Sequence, residues 1–350
     1  MRTLFLCASI ACGAVSLATK YCPEHKLRCD VTMTVKTDST TKMERDGQPV
    51  EGRGGGESSS EMTMHEVHVD QIVEVKDGKP SKVKRSFETV NGKGEFSFGD
   101  NSREFNMESP LENVTLEISQ SKDGKPEVSV ADGKKPDEPA ALEGHRPELF
   151  LDALLPDGDV DAKASWDLDA DAVKRALRVD VARALYARPA ADEGDSGGGG
   201  GRRRGGRGPG GGMMGGETRL FHDADFKGKA RLASTDEEVD GVKCAKIEIK
   251  IDASGEMAAP QGGQGGQRRR MPFSASATEA VVANHYDIHL EGDLFVSMKD
   301  HRPVSLALQG SVKTDSTNEF EREGVKSRMS RKSESAITYK VKVDEPAAAK

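Results

Sequence analysis

Aromatic side chains are scarce in this 350-residue chain, which has 1 Trp, 4 Tyr and 11 Phe. That leaves little material for the flat platforms on which proteins stack sugars or unpaired bases. Cysteine is also rare, at 5. Cys7 and Cys12 fall in an apolar leader, so Cys22, Cys29 and Cys244 can form one intramolecular disulfide at most. No apolar run after Leu17 approaches the roughly 20 residues that a membrane-spanning helix requires. Charge of one sign is lacking too: the net value is -8, with acids and bases interspersed, which fits solubility better than an anionic partner.

What is present is a repeat. VKTDST occurs at Val35–Thr40 and again at Val312–Thr317, and each copy runs into a Glu-Arg-acidic-Gly turn, so that nine of thirteen positions match. Around the first copy, Cys29, Val31, Met33, Val35, Thr37, Ser39, Thr41 and Met43 share one face of a period-two pattern, with Lys, Asp and Thr on the other. Val304, Leu306, Leu308, Gly310, Val312 and Phe320 alternate in the same way around the second. Period two means half-buried strand. Strands of about 16 residues far exceed the usual 5 to 6 and suit a tall, curved sheet, half-barrel or barrel. The turn string KDGKP at Lys76–Pro80 and Lys122–Pro126, with its relative KDHRP at Lys299–Pro303, predicts a long antiparallel meander. The fold class is therefore mainly β.

The expected organisation has five parts. Residues 1–18 read as an export signal: Arg2, an apolar run from Leu4 to Leu17, and small residues at Ser16-Leu17-Ala18 before Thr19. Cys12, behind Ile10-Ala11, is the one candidate for a lipid-modified start. Residues 19–145 form an N-terminal β half and 218–345 a C-terminal one. Between them, 146–190 is a helical connector, in which Glu148–Leu155 and Asp169–Leu177 carry helical spacing, Asp167 or Asp169 can cap, and Trp166 packs helices on the sheet. Residues 191–217, nearly all Gly and Arg, and the shorter Gln261–Arg270 are expected to be disordered.

Chemical motifs are few. Gly194-Asp195-Ser196-Gly197-Gly198 copies a serine-protease string, but it opens a polyglycine tract and lacks the His and carboxylate partners a nucleophile needs. His65-Glu66-Val67-His68 has the wrong spacing for a zinc helix and lies in strand-like sequence. Asp157-Gly158-Asp159-Val160-Asp161 starts like a calcium loop and then departs from it at Ala162 and Leu168. Asn113-Val114-Thr115 is a formal glycosylation acceptor. His285, Asp287 and His289 project from one strand face and are the weak metal candidates, set against an ordinary polar outer face with Tyr286, Ile288 and Leu290 behind it. Cys22 and Cys29 are the candidate disulfide. Arg202–Arg204 and Arg207 resemble an RNA-binding tract, but export and acidic net charge argue against a nucleic-acid partner.

The export signal, the KDGKP hairpins, the helical middle entered through Ala164-Ser165-Trp166 and the closing strands Val304–Leu308 and Ile337–Val343 together resemble uncharacterised exported β-rich proteins of bacteria. More distantly, long curved strands with inserted helices resemble the periplasmic lipoprotein-carrier half-barrels. That resemblance implies an open sheet whose concave face, covered by helices, shelters acyl chains, and it transfers no site residue. The functional expectation is a non-catalytic, exported protein, periplasmic or extracellular, that binds a lipid-like ligand or an envelope component and uses no cofactor. The alternatives are a structural or assembly module acting through flexible basic loops, and a metal-dependent hydrolase. An outer-membrane barrel is disfavoured, because Lys and Glu crowd the faces that would meet lipid.

Overall fold

The computed structural model of the chain describes residues 14–50, 55–185, 220–256, 278–322 and 324–346. Thirteen strands form one antiparallel sheet: β1 (Lys26–Arg45), β2 (Gln48–Pro49), β3 (Gly56–Lys76), β4 (Lys79–Phe98), β5 (Asn101–Glu108), β6 (Thr115–Gln120), β7 (Pro126–Asp132), β8 (Ser165–Leu168), β9 (Lys227–Val239), β10 (Val242–Glu256), β11 (Thr278–Ser297), β12 (Pro303–Arg322) and β13 (Val325–Asp344). The described residues also include the helices α1 (Ala170–Ala176) and α2 (Val179–Leu185), 3-10 turns at Pro139–Leu142 and Phe150–Leu154, and a helical turn at 220–223. The order β7-β6-β4-β3-β1-β13-β12-β11-β10-β9-β8 does not close, so the curved sheet is an open half-barrel. The first and last strands pair at its centre and join the two β halves into one sheet. The Gly/Arg-rich stretches expected to be disordered lie outside the described residues.

Turn chemistry sets the hairpins. Asp77 and Gly78 sit at φ 51° and 77°, and Asp46-Gly47 and Asp240-Gly241 repeat that pair of positive angles. This is the two-residue turn whose twist matches the flanking strands, and Asp tolerates it while Gly adopts it freely. The two VKTDST copies lie on either side of β13 and run in the same direction. Ile337 faces both Val35 and Gly310, and Ser335 faces both Thr37 and Val312, so the copies are offset by two residues.

Strands of 20 residues reach on the order of 65 Å. The core fills only one end of that height. On β1 burial alternates from Leu27 to Ser39 and then stops; on β13 it runs from Ser335 to Val343. The expected inward face of β1 is thus the buried one, with Cys29, Val31 and Val35 in the main core.

The helical middle covers that end. Asp169 caps α1 by accepting from the Ala172 amide at 2.7 Å, and Ala172, Val173 and Ala176 turn to the core. The segment 148–155 differs from its helical spacing: it makes one 3-10 turn at Phe150–Leu154, burying Leu151 and Leu154. Trp166 lies on the edge strand β8 and donates to the Leu154 carbonyl at 3.0 Å, which ties that turn to the sheet. Helix α2 carries Val179 and Val181 in a strand-like alternation, yet tertiary burial of Val179, Val181 and Leu185 makes it helical. At the N-terminus, Val15 exchanges backbone hydrogen bonds with Val160 at 2.7 and 2.9 Å, and Leu17 is fully buried. A chain beginning at Thr19 would lack that Leu17 side chain.

Candidate ligand-binding face

The cross-strand register sorts the concave face into rows. Val35, Ile337 and Leu290 lie at one level with Met62, and Met33, Met64 and Tyr339 lie one row nearer the filled end. Between these rows and the covering segment is an apolar crevice of 60 Å³, lined by Met33, Met62, Met64, Leu177, Phe221 and Leu290 among others. Toward the open end the next rows turn hydroxylic: Thr37 bonds Ser335 at 2.7 Å, Ser39 bonds Ser58 at 2.8 Å and Thr314 bonds Ser333 at 2.6 Å. One face therefore passes from apolar to hydroxyl-rich within a few residues of strand.

Toward the filled end lies a buried ionic network. Glu66, His68 and Asp70 alternate along β3 and face inward beside Val31, Cys29 and Leu27 of β1. Arg85 on β4 closes a two-pronged bond to Asp70, Nε to Oδ1 and Nη2 to Oδ2, both 2.7 Å. Arg178, between α1 and α2, donates Nη1 to Glu66 Oε2 and lies 4.9 Å above the centre of the Phe150 ring. It holds φ at 55°, a left-handed conformation that ends α1 and is costly for a residue with a Cβ. Tyr339 donates to the Ala176 carbonyl at 3.1 Å. The helical cover is thus pinned to the sheet by a buried ion pair and a phenol.

These charges decide one another's protonation. Burial pushes the Glu66 carboxyl up, and the Arg178 guanidinium with His68 more than reverses it, holding the group well below the usual carboxylate range. Asp70 is depressed in the same way, burial being outweighed by Arg85 and His68. Burial lowers His68 despite Asp70 and Glu66, although its Nδ1 is 2.8 Å from Glu66 Oε1. His145, packed edge-on against Phe87, falls to about 3 through burial and the Arg85 and Arg178 charges. Asp152, which accepts from Thr19 at 2.7 Å and from Tyr21, is raised by burial to about 6.

The pH dependence of stability follows from these directions. His145 and His68 bind protons more readily unfolded, so their contribution is present above the ordinary histidine value and is lost as pH falls. Asp152 has the opposite sign: its contribution is present below the ordinary aspartate value and is lost as pH rises through about 6. As pH falls below the ordinary histidine value His145 and His68 both favour the unfolded chain, joined near pH 4 by the depressed Glu66 and Asp70, while Asp152 opposes them. Unfolding free energy is expected to fall on acidification, with His145 alone contributing up to about 1.4 kcal/mol per pH unit. Urea titrations across that range should show it, and His145→Gln should flatten the slope; an unchanged slope would refute the assignment.

The sequence-derived candidates fall elsewhere. His285, Asp287 and His289 are exposed on the outer face of β11, where His289 Nδ1 meets Asp252 Oδ1 at 2.6 Å and His285 Nδ1 is 3.7 Å from Glu256. His222 pairs instead with Asp223 at 2.9 Å. Among the described residues no group of three or more His, Cys, Asp or Glu is arranged to hold a metal. Cys22 is an exposed thiol and Cys29 a buried one, and the two are unbonded here. Cys29 sits across from His68, near Asp70, yet burial and the Asp70 charge push its thiol up, away from a nucleophile. Ser196 lies outside the described residues. The network that sequence reasoning missed had one legible sign: Arg85 stands in phase with Val83 and Phe87, which implies a buried guanidinium in need of carboxylates.

No family model and no curated protein matches the chain. Solved structures aligned with it include an outer membrane channel from Pseudomonas putida, 8% identical over 93% of this chain and 98% of that one, with a TM-score of 0.22. Others are the attachment invasion locus protein Ail of Yersinia pestis in complex with the heparin analogue sucrose octasulfate (5%, 89% and 98%, TM-score 0.13) and a P. putida toluene transporter (8%, 93% and 92%, TM-score 0.13). Likeness at this level carries no argument about this chain. Among the described residues no helix is long and apolar enough to cross a membrane.

Proposed function

We propose that this is a non-catalytic extracytoplasmic binding protein whose concave face takes an apolar or amphiphilic molecule. The observation that carries the proposal is the methionine-lined crevice between Met33, Met62 and Met64 of the sheet and Leu177 and Phe221 of the cover. Its 60 Å³ admits only a short piece of an alkyl chain. A longer chain enters as the unbranched methionines change rotamer and the seven-residue α2 lifts. The adjoining rows at Thr37–Ser335 and Ser39–Ser333 then offer hydroxyls to a polar head.

A fluorescent fatty-acid probe should bind the purified protein saturably, and native mass spectrometry should find co-purified lipid. Met64→Glu, which places a charge in the crevice, is expected to weaken the probe about tenfold, or roughly 1.4 kcal/mol, with an unchanged circular dichroism spectrum. Absence of both probe binding and bound lipid would remove the proposal.

A further inference from the structure

A second cavity, of 360 Å³, lies on the opposite side of the α1–α2 junction from the crevice, between that junction and the segment from Gly144 to Asp157. Its size falls within the range of small-molecule sites. Both arginines of the buried network reach its wall. Arg178 is 6% exposed and spends Nη1 on Glu66, while its Nη2 is buried and without a partner. Arg85 spends Nε and Nη2 on Asp70, and Nη2 also on the Arg146 carbonyl. A buried guanidinium nitrogen with nothing to donate to has lost its water without replacement, so an acceptor placed there would recover that loss.

The surroundings favour an anionic acceptor. Arg85 and Arg178 reinforce burial in holding His145 neutral, against the opposing Glu66 charge. The wall also carries Glu148, Asp157, Asp167 and Asp180, so its acids and bases are equal in number, and the preference for an anion rests on the inner end: there Arg178 has a free nitrogen, Asp152 is occupied by Thr19 and Tyr21 and Asp169 by the α1 amide, and the Arg146 side chain has no carboxylate partner among the described residues. Arginines on the wall of one enclosed space suit the oxygens of a phosphate group, which accept from several N–H donors at once. We infer that this cavity is a binding site for a phosphate group, free or as the head of a larger molecule, held by Arg178 and Arg146. The inference is independent of the apolar crevice: either site can exist without the other.

Inorganic phosphate, titrated at constant ionic strength against chloride, should raise the melting temperature of the whole protein by several degrees. Arg146→Ala, at the wall and outside the buried pairs, should weaken the apparent affinity about tenfold while the fold is kept. Arg178→Met breaks a buried ion pair, so it is made together with Glu66→Leu; this charge-balanced double variant should fold and lose the response. Dihexanoyl phosphatidylglycerol below its micellar concentration, run in parallel, tells the two sources apart: stabilisation by it alone, abolished in the double variant, places the site on a lipid head. If neither compound stabilises beyond chloride, or if the double variant responds like the parent, the inference is overturned. The fatty-acid probe is unaffected by that failure, as the phosphate response is by failure of the probe.

Discussion

Arg178→Met is expected to cost about 3 to 5 kcal/mol in urea-induced unfolding, the usual penalty for removing one partner of a buried ion pair. Beyond Arg178, Glu66 has only His68 to compensate it. Its Oε1 lies 2.8 Å from His68 Nδ1 without the alignment of a hydrogen bond, and its Oε2 is held by Arg178. Left alone, Glu66 must take up a proton or draw water into the core. Adding Glu66→Leu should recover most of the loss, because two apolar side chains in place of a matched pair leave no orphaned charge. A single variant costing under about 1 kcal/mol would mean that the pair does not hold the helical cover. If the double variant stayed as unstable as the single one, loss of the Arg178 guanidinium from above the Phe150 ring, rather than of the ion pair, would be the source.

The second large effect belongs to two glycines. A Cβ on Gly310 would lie 1.8 Å from the His289 carbonyl oxygen, and one on Gly292 would lie 1.8 Å from that of Ala307. Gly310 pairs with Leu290, and Gly292 with Leu308, so the two close approaches face each other across β11 and β12. Both obstacles are backbone and cannot swing aside. The two strands close on each other toward the concave side here, and only residues without a side chain allow it. Gly310→Ala should cost on the order of 4 kcal/mol, read as a lower urea midpoint, and Gly292→Ala a similar amount. Gly78→Ala meets no atom within 4 Å and strains only its positive φ, so it should cost far less. Equal losses at Gly78 and Gly310 would show that backbone freedom, not close approach, is what glycine supplies at Gly310.

Much of the sheet was legible because its signals are local. The alternation from Cys29 to Ser39 names the buried face of β1, and Asp-Gly pairs name four turns, at Asp46, Asp77, Asp123 and Asp240. Local signals mislead where the alternation is ambiguous. In Glu66-Val67-His68-Val69-Asp70 the valines look like the core, yet the three ionisable residues alternate inward and Val69 stays half-exposed. A register shift between Val67 and His68 in the pairing with β4 allows Val67 to be buried as well.

Composition and period two were enough to establish a mainly β chain of tall strands with a sheltered Val, Leu and Met side, because each strand's pattern depends only on its own residues. Where the helices dock, which acids turn inward and where a crevice opens were decided by the assembled sheet. Glu66 finds Arg178 only across 112 positions of chain. Burying a charge is tolerable only once its distant partner has arrived, so no stretch of sequence read alone could have named the pair.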